Sequence, residues 1–409
     1  MLASPFTFYR GAAAIMATDL ADTPTSGITV QLCGDAHLSN FGVFGTPERN
    51  LIFDINDFDE TLPGPWEWDV KRLVASFEVA GRSRGFSTDE RAVVSQAAAR
   101  GYRKRMRKAA ASPVLAAWND RLDADQVSAL VHRAQRDVQA AKKRVTRADS
   151  AIAKARSRDH ARAFSKLVEV VDGAMRIKAE PPLIVPLDDL IPDAWDREQT
   201  VEEMRALLKE YQSTLVHQAH PVREYEFVDM ARKVVGVGSV GTRAWIVLHR
   251  GRDDSDPLLL QAKEAQRSVL EPYLPASEYV NQGERVVRGQ RLMQAASDVF
   301  LGWQSVTGFD GVTRDFYIRQ LHDWKGSADV DAMSFEGMRL YGQICGETLA
   351  RAHARGGDRV AIAAYLGSSD VFDRAVAEFA RSYADRNELD FADFRAAVDS
   401  GRLTAEDVV

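Results

Sequence analysis

The sequence has only two cysteines, Cys33 and Cys345, among 409 residues. It therefore carries no disulfide framework, and a reducing cytoplasm is the compartment it predicts. It lacks any uninterrupted apolar run of the length that spans a bilayer, so no membrane partner is expected. The first residues, MLASPFTFYRG, lack the basic start of a signal peptide and are broken by Arg10. Basic charge is not in excess. Against 53 Lys and Arg stand 59 Asp and Glu, and the net charge of −6 removes any global attraction to nucleic acid. Histidine is scarce, and six of the eight (132, 160, 217, 220, 249 and 322) stand without metal-ligand spacing to acidic neighbours. There are no internal repeats and no long low-complexity linkers. What remains is 45% hydrophobic and 27% charged, the composition of a globular protein long enough for two or three domain-sized units.

Two short stretches concentrate the chemistry. The first is Gly34-Asp35-Ala36-His37-Leu38-Ser39-Asn40, after the apolar run ITVQLC at 28–33. The second is NLIFDIN at 50–56, followed by Asp57-Phe58-Asp59. Both apolar runs read as strands, rich in β-branched residues and closing on polar punctuation. The FGVFGTPERN between them reads as a turn from its Gly and Pro. From Trp68 the pattern becomes helical, with Val70, Leu73, Val74 and Phe77 at three- and four-residue spacing. Phosphoryl transfer needs positioning, a base near the acceptor and Mg²⁺ on the phosphates. One Asp (Asp35) to take a hydroxyl proton, an Asn (Asn40) and a further Asp (Asp57) to hold the metal meet those needs. Asp59, on the same strand face as Asp57, is a second candidate metal ligand.

A β-rich block follows a helical and locally basic stretch (102–162) that reads as a solvated helical face. Within the block, Gly236-Val237-Gly238-Ser239-Val240-Gly241 fits G-x-G-x-x-G. The next residues, TRAWIVL, suit a strand better than a helix. The motif therefore reads as a glycine flap between strands, in which Gly236, Gly238, Ser239 and Gly241 let backbone N–H groups approach nucleotide phosphates. Lys263 ends the apolar run LLLQA and is placed to contact those phosphates. Its acidic partner is open among Glu264, Glu271 and Glu284, with Glu284 favoured because it precedes a helical run. The segment RGRDDSDP (250–257) reads as a hairpin loop. Arg319 and Lys325, after the run FYI, read more simply as solvated loop charges than as cleft residues. From about Met333 the chain is helical again, with Gly356-Gly357 as a helix stop.

These elements resemble aminoglycoside-phosphotransferase-like kinases in permuted order. Leu349-Ala350-Arg351-Ala352-His353 is similar to the helix that precedes the catalytic loop in that family. Asp57-Phe58-Asp59, then Gly64 and Asp69-Val70, matches its metal-binding motif and the spacing after it. The resemblance implies an α+β, protein-kinase-like two-lobe fold, circularly permuted. Residues 1–179 would hold the catalytic-loop half of the helical lobe with a helical extension, 180–328 the β-rich nucleotide lobe, and 329–409 the remaining helices. It implies ATP and Mg²⁺ as cofactors and an unknown small-molecule acceptor. It gives Asp35 the role of base, Asn40 and Asp57 those of metal ligands, Lys263 that of phosphate lysine, and Asp69 that of a buttress to the loop. The usual His before Gly-Asp is replaced by Cys33, so the loop must be braced differently. Over nearly its full length the chain also resembles a bacterial domain-of-unknown-function family, number 2252, through stretches such as SPFTFYRGAA, GDAHLSNFG, FDINDFDET, KVVGVGSVGTR and LARAHARGGD. That likeness implies no substrate.

Three other functions fit parts of the pattern. The same site could transfer AMP, or bind nucleotide without transferring anything. His37 with Asp35, Asp54 and Asp57 could instead form a metal-dependent hydrolase, although such sites usually need several His. His37 is read here as bracing the loop or touching the acceptor. Trp66 and Trp68 are read as packing residues.

Overall fold

The computed structural model describes residues 1–136, 164, 166–190, 197–216, 220–234, 242–308, 310–321 and 326–404. The glycine motif (Gly236, Gly238, Ser239, Gly241), Lys325 and residues 137–162 of the basic stretch lie outside them. The architecture is mixed α+β, with one six-stranded antiparallel sheet and several small ones. Among the described residues no helix is long and apolar enough to cross a membrane. Both cysteines are buried and free. The chain divides into two compact units, one of 1–41, 63–120 and 328–409, the other of 42–62 and 121–327.

The first unit is mainly helical and draws on both ends of the chain. Its long helices are Trp66–Ser83, Thr88–Ala110, Phe335–Gly356 and Val371–Asp399. Ser87 caps the second of these, accepting from the Glu90 N–H while Glu90 reaches back to the Ser87 N–H. Helices Thr88–Ala110 and Phe335–Gly356 cross closely, because a Cβ on Gly346 would fall on the Ala98 carbonyl. Trp66 is fully buried, its ring stacked on Tyr102 at 5.5 Å, and Trp68 is buried too. The helix Phe335–Gly356 stops at Gly357, as expected.

The second unit is built on the six-stranded sheet, in the order Gly302–Thr307, Thr313–Gln320, Pro257–Ala265, Ala244–Arg250, Glu226–Lys233, Ile184–Pro186. The 250–257 segment is the hairpin expected, with Arg250 opposite Pro257. Apolar residues alternate along the strands and fill two cores. Leu258, Leu260, Ala262 and Val247 belong to one, and Leu259, Ile246 and Leu248 to the other. On the Leu259 side of the central strands the face turns polar along the chain. Gln261 lies opposite Arg319, and Lys263 opposite Tyr317.

The FGVFG read as part of a turn is instead a strand, Phe41–Gly45, beside Leu51–Ile55; only 46–50 turns. Gly42 is there because a Cβ would lie 2.5 Å from the Gly326 carbonyl of the neighbouring strand. Apart from that strand, the elements around the chemistry fall close to where the sequence put them, at Thr29–Leu32, Leu51–Ile55 and from Trp66 onward.

Candidate functional site

In the helical unit, the strand Thr29–Leu32 delivers Cys33-Gly34-Asp35 into a loop that closes as a short 3-10 turn at Leu38–Asn40. Gly34 takes φ 84°, which a side chain would resist. Asp69, on the first turn of helix Trp66–Ser83, accepts from the Cys33 N–H (2.8 Å) and the Gly34 N–H (3.0 Å). This is the contact expected of a buttress. His353 Nε2 lies 3.1 Å from the same carboxylate, and Tyr102 OH lies 2.9 Å from His353 Nδ1. All three side chains are buried. The loop at Cys33-Gly34 is thus braced by Asp69, with His353 behind it. Burial first, and then the Asp69 carboxylate, push the Cys33 thiol well above its usual range, so it stays neutral filler.

Asp35 is held by a residue that sequence reasoning missed. Arg72 Nε donates to Asp35 Oδ1 at 2.6 Å. The guanidinium lies over the Tyr9 ring at 4.5 Å and donates through Nη2 to the Tyr9 carbonyl. Asp35 and Arg72 are 37 positions apart, so no local pattern announces the pair. His37 Nδ1 accepts from the Ser39 N–H, so Nε2 carries the proton and faces Asp35 Oδ2 at 3.6 Å. Burial lowers the His37 pKa to about 4 against the pull of Asp35, which makes the ring neutral near pH 7. Asn40 donates its side-chain N–H to the Asp35 carbonyl at 2.9 Å, leaving Oδ1 outside that bond.

In the sheet unit, Asp57 and Asp59 follow the strand Leu51–Ile55 and meet Lys263, 204 positions after Asp59. Lys263 is buried and its Nζ is bonded to Asp59 Oδ2. Tyr317 OH donates to the other oxygen of Asp59 at 2.7 Å. Burial opposes the Lys263 charge, but Asp57 and Asp59 hold its pKa well above the ordinary lysine range. The acidic partner of Lys263 is therefore Asp59. Glu284, favoured from the sequence, pairs instead with Arg288 at 3.1 Å on its own helix, and Glu264 accepts from the Arg243 N–H. Asp59, read as a second metal ligand, has both oxygens engaged by protein donors. Asp57 Oδ1 accepts from the Asp59 N–H at 3.3 Å. Asp54 is structural, buried and bonded to the N–H groups of Ile55 and Ala295.

Among the described residues no three His, Cys, Asp or Glu side chains gather as a metal site. A hydrolase centre of His37 and several carboxylates finds no support there. Mg²⁺ asks less of a protein, since one or two ligands plus substrate phosphates suffice. In the sheet unit the Asp57 carboxylate has the hard oxygen chemistry for it; in the helical unit Asn40 Oδ1 has the same chemistry.

A family model described as an uncharacterized protein conserved in bacteria (DUF2252) matches residues 1–397. No curated protein and no solved structure matches.

Proposed function

The chain belongs to the DUF2252 family, whose description names no activity, and from its own residues we propose that it is a cytoplasmic, Mg²⁺-dependent phosphotransferase using ATP, with a kinase-like two-lobe fold in circularly permuted order. One observation carries the reading: a buried, charged lysine on a sheet strand bonded into an Asp-Phe-Asp turn 204 positions away. Burying such a cation is costly unless it serves a bound anion or a structural pair. The loop of the other unit supports it, because an Asp fixed by Arg72, with Asn40 closing back on its carbonyl, is the form a positioned base takes.

In this reading the acceptor is a hydroxyl of a small molecule. Asp35 receives the hydroxyl proton at Oδ2, since Oδ1 already accepts from Arg72. The acceptor oxygen forms the new bond to the γ-phosphorus, the old P–O bond breaks, and ADP leaves with the electron pair. Neutral His37 faces Oδ2 with its Nε2–H from 3.6 Å. Lys263 exchanges its bond to Asp59 for one to the nucleotide phosphates, while Tyr317 continues to hold Asp59. Magnesium, when bound with the nucleotide, neutralises phosphate charge, and Asn40 and Asp57 are the residues that would hold it.

The test is ATP-dependent product formation in a metabolite mixture, read by mass. Addition of phosphate rather than AMP is expected. Asp35→Ala and Asp57→Ala, one in each unit, should each lower turnover by at least about a thousandfold. Wild-type turnover in both variants would end the assignment. Binding of ATP without product in any mixture would move the protein to the non-transferring nucleotide binders.

A further inference from the structure

The sheet unit contains a cleft of about 680 Å³. That is within the range of small-molecule sites. Lys263, closed against Asp59, is not among the side chains that line it; Arg319 is. The position is unusual for an arginine. Its Nε reaches Gln261 Oε1 only at 3.3 Å and its Nη1 reaches the Asn56 carbonyl only at 3.4 Å. The guanidinium lies 5.6 Å from the Tyr317 ring, the same ring that Lys263 approaches. Among the described residues no carboxylate comes within ion-pair distance of it; Asp57, Asp59 and Asp298 act on it only from farther away. A half-buried guanidinium held by two long hydrogen bonds is a poor structural device. A guanidinium also offers five N–H donors in a planar fork suited to phosphate.

The rest of the cleft fits a ligand with more than an anion. Phe44 and Phe300 give it apolar walls. Toward the 250–257 hairpin, Tyr225 and Asp256 line it, with the tyrosine hydroxyl donating to the Asp256 carboxylate at 3.2 Å. Asp298, another lining carboxylate, accepts the Phe300 and Gln320 N–H groups. One part of the cleft thus presents a cation, and others present apolar surface and acceptors.

We infer that this cleft binds a phosphate-bearing small molecule whose phosphate is received by Arg319, with the acidic hairpin end selecting hydrogen-bond donors on the rest of the ligand. The inference goes beyond the phosphotransferase reading and does not require it, because it stands on Arg319 and the cleft and not on Asp35, Asp57 or Lys263.

Isothermal titration with ADP and with inorganic tripolyphosphate, each without added metal, tests it on wild type, Arg319→Gln and Arg319→Lys. At least one of the two ligands should bind wild type. Affinity should fall at least about tenfold in Arg319→Gln and recover in part in Arg319→Lys. Melting of the unliganded variants should stay close to wild type, which separates lost binding from lost folding. Equal affinity in wild type and Arg319→Gln, or no binding of either ligand by wild type, overturns the inference. If Mg-ATP is turned over but ADP and tripolyphosphate bind wild type and Arg319→Gln equally, the cleft assignment falls while the phosphotransferase reading survives. If tripolyphosphate binds through Arg319 but ATP is never consumed, the outcome is the reverse.

Discussion

Lys263 is buried, charged and bonded to Asp59, and each property depends on the others. Remove the carboxylate and the ammonium loses its nearest counter-charge in a site where burial already works against it. Remove the ammonium and, among the described residues, the Asp59 carboxylate keeps Tyr317 as its one side-chain hydrogen-bond donor. Lys263→Met and Asp59→Asn should each destabilise the protein by about 2–4 kcal/mol, and the double variant by less than the two combined. Urea denaturation of the four proteins measures the coupling, and strict additivity would show that the pair contributes nothing as a pair. The residue scale is also where the sequence was least informative. Asp35, Asn40, Asp57 and Lys263 stand out in the sequence because their types and spacings match a chemistry, and the fold brings Lys263 to the Asp57–Asp59 turn. The groups that hold them were not. Arg72 reaches Asp35 from a helix, Tyr9 sits under Arg72 from near the start of the chain, and Asp59 displaces Glu284 as the lysine's partner. Such pairs are fixed by tertiary packing, which leaves no trace at short sequence separation.

Strands and helices carry their own tests. His249 lies in the strand Ala244–Arg250, edge-on to Phe227, and among the described residues neither ring nitrogen has a hydrogen-bond partner. Burial lowers its pKa to about 4, while an unfolded imidazole titrates near ~6.5. Between those values the unfolded chain binds a proton that the folded chain refuses. Stability therefore rises with pH through this window and is lost as pH falls from about 6.5 toward 4. His249→Leu should raise the melting temperature at pH 7 and flatten the acid limb, leaving the part due to His37, which burial shifts the same way. A steeper acid limb in the variant would refute the account. The helix crossing is tested by Gly346→Ala. The added methyl meets the backbone carbonyl of Ala98 and cannot be relieved by a rotamer change, so a loss of about 2–4 kcal/mol is expected, well beyond the propensity gain of alanine. Unchanged stability would mean the helices part without cost. Helices and strands with regular periodicity were legible from the sequence. The strand Phe41–Gly45 was not, because its glycine answers a close approach by the Gly326 backbone that only the folded sheet contains.

At the scale of the whole molecule, the helical unit is assembled from segments at both ends of the chain. The consequence can be traced atom by atom. Helix Val371–Asp399 places Phe391 and Phe394 against Phe8, with ring centroids at 5.8 and 5.4 Å, and donates the Asn387 amide to the Pro5 carbonyl. Tyr383 meets the edge of Tyr9 at 6.3 Å. Tyr9 OH donates to the Arg72 carbonyl at 2.7 Å and its ring lies under the Arg72 guanidinium, which in turn holds Asp35. The last long helix therefore supports the loop near the start of the chain through two intermediates, Tyr9 and Arg72, which lie 63 positions apart. A protein ending at residue 370 loses that support but keeps every residue of the loop, of the Asp69–His353 brace and of the sheet unit. Hydrogen exchange of this truncated chain should show faster exchange across 5–10 and 33–40. The strands Ala244–Arg250, Pro257–Ala265 and Thr313–Gln320 should keep wild-type protection, because their two cores are filled from within their own unit. Tyr9→Phe, which removes only the hydroxyl, should give a smaller increase in the same loop. Were the truncation to loosen the sheet strands as much as the loop, the two units would be folding as one, and the route from the last helix to Asp35 would lose its special place.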